Sequence, residues 1–191
     1  MFPPTRRLLG AALAFALAAP ASRLHAQYSP DRATALEMRK EFLTELDSLQ
    51  SKFMQLADAF PADKYAWRPA PGVRSVGEVF MHVASEYYFW TPAVFGTTPS
   101  PVLEGNKAGF EKFEKMSSKP EVLKHLKEGF AYGRQAIATL DEAKITGIHK
   151  IFNRDTQVIA MSLDMTSDLH EHLGQLIAYA RMNGVKPPWS K

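Results

Sequence analysis

The sequence of 191 residues contains no cysteine. This absence excludes a cysteine nucleophile, a thiolate metal site and any redox role for protein thiols. It also excludes a lipid attached through an N-terminal cysteine. The fold must therefore depend on its core and not on disulfides, even in an oxidising compartment. The sequence also lacks an internal repeat and any strand pattern of useful length, so a sheet is not expected.

No apolar run is long enough to span a membrane. Residues 8–21 form a run of about 14, short of the roughly 20 that a transmembrane helix needs. The run follows Arg6 and Arg7 and precedes residues 24–26, Leu-His-Ala, which are typical of a signal-peptide cleavage site. We therefore predict that residues 1–26 are a cleaved signal peptide, with a retained anchor as the alternative. The protein is then exported to the periplasm or secreted, by the general or the twin-arginine route.

The mature domain, residues 27–191, has no excess of charge of either sign. The sequence has 23 basic and 20 acidic residues, and the basic Arg6, Arg7 and Arg23 lie in the predicted signal peptide. Cleavage leaves 20 residues of each sign. Clusters of Lys and Arg with aromatics between them are also missing, which excludes nucleic acid as a partner. The length is typical of one domain, and the expected partner is a small-molecule substrate.

Four long segments have helical periodicity, which predicts an all-α domain. They begin near Ser29-Pro30-Asp31, at the capping box Ser75-Val76-Gly77-Glu78, at Ser118-Lys119-Pro120-Glu121 and near Asp155-Thr156. They end, in the same order, at Pro61, near Phe95, at Gly147 and at Gly184. Residues 96–117 form a long connection with one helical turn around residues 110–115, which lets the third helix run parallel to the second. The prediction is a four-helix bundle with a long crossover between helices 2 and 3.

Three of the six histidines are excluded as candidates for catalysis or metal binding. His25 leaves with the signal peptide, His125 is interpreted as a solvated helix residue, and His149 lies in a loop without a visible partner. His170 and His172 point to opposite sides of their helix, because positions two apart are separated by roughly 200°. These two therefore cannot bind one ion from an intact helix.

Asp168 lies four residues before His172, on the same face of the fourth helix, and the pair interrupts an apolar stripe. On the second helix, His82 lies among inward-facing valines, with Glu78 and Glu86 one turn away on either side. An unpaired carboxylate or imidazole costs several kcal/mol to bury, so these groups need partners. Either Asp168 pairs with His172 and His82 lies at a polar rim, or the three converge on a divalent metal.

Three stretches resemble the DinB-like (YfiT-like) family of small four-helix-bundle metalloenzymes. They are Trp67-Arg68-Pro69 through Ser75, the second helix with His82, and His172-Leu173-Gly174-Gln175-Leu176 through Pro188. Each stretch is a loose pattern, but their order and separations are together fairly specific. The resemblance covers nearly all of the mature chain.

The resemblance implies a metal site on helices 2 and 4. The family's usual ligands are a histidine on helix 2 and two histidines four apart on helix 4. His82 matches the first and His172 the last, while Asp168 stands where the commoner pattern has histidine. Aspartate is a competent ligand for zinc, nickel, manganese or iron. With aspartate as a ligand, the site either still binds a metal and prefers harder metal ions, or it has become an Asp–His pair that binds no metal.

The resemblance also implies an activity. Characterised members include thiol transferases and a thiol-dependent isomerase, in which the metal lowers the pKa of a bound thiol or water. The expected function is that of a metal-dependent transferase or hydrolase, with Glu78 or Glu86 orienting a ligand or acting as a base. Alternatively, Glu78 only caps its helix and Glu86 faces water. Export disfavours thiol transfer, because small thiols are scarce outside the inner membrane.

A non-catalytic bundle that binds a small ligand, or that forms a homodimer, is the competing hypothesis. The run Tyr87, Tyr88, Phe89 and Trp90 places apolar groups on several faces of helix 2. Such a distribution favours burial beyond a single core. A homodimer would bury these rings, and the alternative is that they pack under the connection 96–117.

Overall fold

The computed structural model describes residues 30–190. The predicted signal peptide, residues 1–26, lies outside the described residues, so its cleavage stays a prediction. The described helices are α1 (Arg32–Ala59), α2 (Val76–Phe95), α3 (Lys107–Glu114), α4 (Lys119–Ala138), α5 (Glu142–Thr146) and α6 (Val158–Met182). A short 3-10 helix (Ala62–Lys64) follows α1, and a hairpin of β1 (Ile148–Ile151) and β2 (Arg154–Gln157) precedes α6. Between residues 30 and 190, no helix combines the length and apolarity that crossing a membrane requires.

Side-chain caps determine where the first two helices begin. The Asp31 carboxylate accepts a hydrogen bond from the Thr34 N–H at 2.8 Å and so caps α1. The predicted capping box of α2 is confirmed, because Ser75 accepts from the Glu78 N–H and Glu78 accepts from the Ser75 N–H. These bonds satisfy N–H groups that have no partner within the helix. The box starts α2 less than two turns before His82.

The long helices α1, α2, α4 and α6 form the predicted bundle. Gly77 at the start of α2 lies against Ser117, just before α4, and Gly133 lies against Tyr87 further along both helices. The two helices are therefore parallel, as the long connection predicts. Helix α6 is antiparallel to α2. Tyr179 near the end of α6 contacts Arg74 just before α2, whereas Met165 in the first half of α6 lines one cavity with Trp90 in the second half of α2.

Aromatic rings fill the centre of the bundle. The ring of Phe130 on α4 lies 5.8 Å from that of Phe53 on α1 and 4.5 Å from that of Tyr87 on α2, measured between centroids. All three side chains are fully buried. Gly133 leaves room for the tyrosine, because a Cβ atom there would lie 2.5 Å from a ring carbon of Tyr87. These contacts hold α2, which bears the candidate site, against α1 and α4.

The hairpin is a difference from the sequence prediction, which contains no strand. It pairs Ile148 with Gln157 at one end and Ile151 with Arg154 at the other. Strand β2 occupies the residues at which the fourth helix is predicted to begin. Each strand has four residues and only one buried side chain, which is too short for an alternating pattern to be visible.

The turn of the hairpin has an unusual backbone. Phe152 and Asn153 have φ values of 48° and 62°. Two central residues with positive φ are typical of a type I′ turn, in which Asn and Gly are preferred. A bulky residue in this region costs about 1–3 kcal/mol and persists only when its surroundings hold it. The Phe152 ring is held by Phe89, with centroids 5.7 Å apart, and by Trp90, at 5.1 Å.

Two predictions about histidines are wrong. His125 is not solvated: it is only 7% exposed, and its ring lies 4.9 Å from Phe113 and 6.3 Å from Tyr88. Burial in these apolar surroundings lowers the pKa of His125. His149 lies in β1 and not in a loop, and its Nε2 atom is 3.0 Å from the carbonyl oxygen of Lys144.

The aromatic run of α2 is divided between the core and the surface. Tyr87 and Tyr88 are buried, and Tyr88 packs against Phe113 of α3 at 5.7 Å between centroids. The alternative prediction, that the aromatic side chains pack under the connection 96–117, is therefore correct for Tyr88. Phe89, by contrast, is 41% exposed. A homodimer stays a prediction.

Candidate metal centre

Two imidazoles and one carboxylate meet where α2 and α6 cross. His82 and Glu86 lie one turn apart on α2, and His172 lies on α6. The Nε2 atom of His82 is 3.1 Å from Glu86 Oε1, and the Nε2 atom of His172 is 3.7 Å from the same oxygen. One donor atom from each residue lies within 4.8 Å of the other two. The three residues therefore form a group that could hold a metal ion.

Hydrogen bonds orient both imidazole rings. His82 Nδ1 lies 2.7 Å from Glu114 Oε1, and Glu114 is held in turn by Arg74 Nε at 2.9 Å. His172 Nδ1 lies 3.2 Å from Gln175 Oε1. Since these oxygens accept, Nδ1–H is the donor in each ring, so Nε2 is the ring atom that faces Glu86 and that a cation would bind in place of a proton. Metal-binding histidines in proteins are commonly oriented in this way.

The electrostatics of the group favour opposite charges in close contact. Burial disfavours the charged form of His82, but hydrogen bonds to Glu114 and Glu86 outweigh this effect and raise the pKa of His82 to about 9. Burial would raise the pKa of Glu86, but the contacts of its carboxylate with the His172 and His82 rings outweigh this effect and lower that pKa to about 2. The nearby Glu86 carboxylate likewise raises the pKa of His172. Glu86 is therefore a carboxylate at neutral pH.

Glu86 also has an unsatisfied atom. Its Oε2 is buried and has no hydrogen-bond partner, although Oε1 faces both rings. Buried polar atoms are nearly always paired in native proteins, so an orphan oxygen requires an explanation. The orphan is Oε2, whereas Oε1 is the oxygen that contacts the two imidazole Nε2 atoms; a divalent metal bound by both carboxylate oxygens would give Oε2 a partner. The residues present thus fit a metal, with Glu86 as one ligand.

Asp168, the third ligand predicted from the sequence, lies at the edge of this group. Its Oδ2 is 3.8 Å from His172 Nε2, and its side chain is 40% exposed, against 16% for Glu86. Partial burial and the negative charge of Glu86 raise the pKa of Asp168 to about 6. Asp168 as a ligand stays a prediction, and the structure places Glu86 closer to both imidazoles.

The structure also shows the positions of Glu78 and His170, the other residues considered for the site from the sequence. Glu78 is engaged in the capping box and pairs with Arg68 at 3.1 Å, so its capping role is confirmed. His170 lies on the exposed side of α6, 3.0 Å from Glu45, as its helical position predicts. Glu114 was not a sequence candidate. It is separated from His82 by 32 positions, and the predicted helical turn in the connection is the only sign that could have suggested it.

A small cavity adjoins the group on the side of Asp168. It has a volume of about 10 Å³, close to the minimum that holds one water molecule. Its lining consists of Glu86, Tyr87, Trp90, Met165, Asp168 and Leu169. The centre thus opens through a narrow, mostly apolar space between α2 and α6.

The raised pKa of His82 predicts a pH-dependent stability of the metal-free protein. A group whose pKa is raised by folding stabilises the fold fully below its unfolded value, and this contribution is lost as pH rises through the folded value. Between pH 6.5 and about 9, the free energy of unfolding should therefore fall. We expect a fall of about 2 kcal/mol, given that solvent screens part of the ring.

Urea unfolding at several pH values measures this fall. His82→Gln should flatten the profile in that window, while His170→Gln, which changes an exposed histidine, should not. A wild-type stability that is constant or rises with pH across the window contradicts the prediction.

Two oriented imidazoles and a carboxylate on adjacent helices define a helical-bundle protein with a cluster that could hold a metal ion. A family model described as the DinB superfamily matches residues 45–176, well over half of the chain. The protein belongs to the DinB superfamily, which confirms the resemblance noted in the sequence. The matched range includes His82, Glu86 and His172 together with Asp168. No curated protein matches the chain significantly.

Proposed function

We propose that this protein is an exported, metal-dependent enzyme in which His82, Glu86 and His172 bind one divalent metal. The observation that carries the proposal is the Glu86 carboxylate. One of its oxygens lies 3.1 and 3.7 Å from the two imidazole Nε2 atoms, and the other is buried without a partner. A cation at this position would satisfy both oxygens and both rings.

The donor set limits the choice of metal. Two imidazole nitrogens and one carboxylate oxygen, with no thiolate, suit zinc, nickel, iron or manganese. Three protein ligands leave coordination positions open, which is typical of catalytic and not of structural sites. Because each Nδ1–H donates to Glu114 or Gln175, Nε2 is the atom of each ring that is available as a metal ligand.

A divalent metal at such a site acts as a Lewis acid and lowers the pKa of a coordinated water or thiol. The residues around it would contribute proton transfer and the exclusion of bulk water. Asp168 lies at the solvent-facing edge and lines the cavity, where its carboxylate would accept a proton from a molecule bound there. Met165 and Leu169 border the cavity next to it. This arrangement supports hydrolysis or transfer of a small group, and export favours water over small thiols as the nucleophile.

Metal analysis of the exported protein tests the proposal. The protein is purified from the periplasmic fraction, and its intact mass should correspond to a chain that begins at Gln27. After incubation with zinc, nickel or manganese, the wild type should hold about one metal per chain. His82→Ala and His172→Ala should each retain less than about 0.2. His170→Ala, the matched control on α6, should behave like the wild type. A wild type that remains metal-free with every metal overturns the proposal.

A further inference from the structure

A group of partly exposed aromatic rings borders the candidate metal centre. We call Phe89, Trp90, Phe110 and Phe152 the aromatic patch. The Phe89 ring lies 5.4 Å from Phe110 and 5.7 Å from Phe152, and Trp90 lies 5.1 Å from Phe152, measured between centroids. Phe89 and Phe152 are 41% and 43% exposed. Three elements, α2, α3 and the hairpin turn, thus contribute rings to one apolar surface open to solvent.

The patch is continuous with the candidate metal centre. Trp90 lies one turn after Glu86 on α2, and both line the small cavity together with Asp168. Trp90 also contacts Phe152. The cavity beside the carboxylates and the patch therefore share the Trp90 side chain.

The position of Phe152 conflicts with its backbone. Its φ of 48° places it where Asn or Gly is preferred. The stacking with Phe89 explains how the ring is held, but the fold gains little from a ring that remains almost half exposed. Backbone outliers of this kind are frequently found at ligand-binding sites, where placement of a side chain matters more than local stability.

From this geometry we infer that the aromatic patch binds a flat aromatic group of the substrate; the inference rests on the proposed function of the adjacent centre. The cavity of about 10 Å³ admits only a small reacting group, so the remainder of a substrate must lie outside it, against Trp90 and Phe152. Aromatic rings pair favourably with such a surface.

The first experiment is independent of any metal. Phenol is titrated into the metal-free protein, and the indole N–H signals of its three tryptophans are followed by NMR. The Trp90 signal is identified by its loss in Trp90→Phe. We expect a saturable shift of that signal in the wild type. Phe152→Asn should weaken phenol binding at least fivefold, while its turn accepts positive φ and the fold is retained.

Leu163→Ala is the matched control, because Leu163 is an exposed apolar residue, 61% accessible, in the groove between α1 and α6. It should leave phenol binding unchanged. The inference is overturned if phenol does not shift the Trp90 signal, or if Phe152→Asn binds phenol as tightly as the wild type. It is also overturned if the wild type is a dimer and Phe152→Asn a monomer, since a second copy then covers the patch.

The second experiment separates the patch from the metal centre. Acetohydroxamate and benzohydroxamate are titrated by calorimetry into the zinc-loaded protein; they share the metal-binding group and differ by an aromatic ring. Benzohydroxamate should bind at least 10-fold more tightly, and this ratio should fall to about one or two in Phe152→Asn. A ratio that is unchanged in Phe152→Asn overturns the inference. If neither compound binds, the proposed metal centre is rejected. The phenol titration of the metal-free protein then remains the test of the aromatic patch.

Discussion

Replacement of Glu86 by glutamine is expected to weaken metal binding by more than about 100-fold, beyond the loss typical of residues that only orient ligands. Glutamine has nearly the same shape but no negative charge. It would leave the two imidazole Nε2 atoms, 3.1 and 3.7 Å from the present carboxylate oxygen, without an anionic partner for the cation. Competition titration of zinc against a chelator measures the change.

Asp168→Asn is the matched comparison, because it removes one carboxylate charge from the next position around the centre. We expect it to weaken zinc binding by less than about 10-fold. Its carboxylate is more exposed than that of Glu86 and lies 3.8 Å from one imidazole. Circular dichroism of both variants confirms that the helices persist. If Asp168→Asn has the larger effect, the ligand set predicted from the sequence is correct and the assignment of Glu86 is wrong.

Truncation of Phe130 to alanine is expected to lower the free energy of unfolding by about 3–5 kcal/mol. The side chain is fully buried and contacts Phe53 and Tyr87 from two other helices. Its removal leaves a cavity that these rings cannot fill without moving α2. Because Tyr87 is adjacent to Glu86, the loss of packing should also loosen the candidate metal centre.

Leu163→Ala serves as the control for this effect. Leu163 is 61% exposed, so its truncation should cost less than about 1 kcal/mol. Urea denaturation of both variants and of the wild type, at a pH at which the metal-free protein is stable, measures the two values. Similar losses in both variants would show that the core described above is not the main source of stability.

The bundle could be predicted because its signals are local and repeated. The periodic apolar stripes, the Ser75–Glu78 capping box and the length of the connection 96–117 each depend on residues close together in the sequence. The box and the parallel run of α2 and α4 are confirmed. The hairpin was missed for the same reason, since two strands of four residues repeat no pattern often enough to be recognised.

The candidate site could be predicted only in part. Helical geometry was sufficient to bring His82 and His172 inward and to direct His170 outward, because the rotation of a side chain about its own helix follows from its position. His125 was misjudged, because the lysines and glutamate beside it in the sequence suggested solvent. Its surroundings are set by Tyr88 and Phe113, which belong to other helices.

The sequence by itself determined that the chain lacks thiol chemistry, that residues 27–191 are nearly balanced in charge, and which helices bear the two histidines. Only the tertiary structure decided that Glu86 lies between them and that Glu114 orients one of them. The physical reason is that pairing between helices depends on their crossing and relative rotation. These are set by the packing of the whole core, and no single helix encodes them.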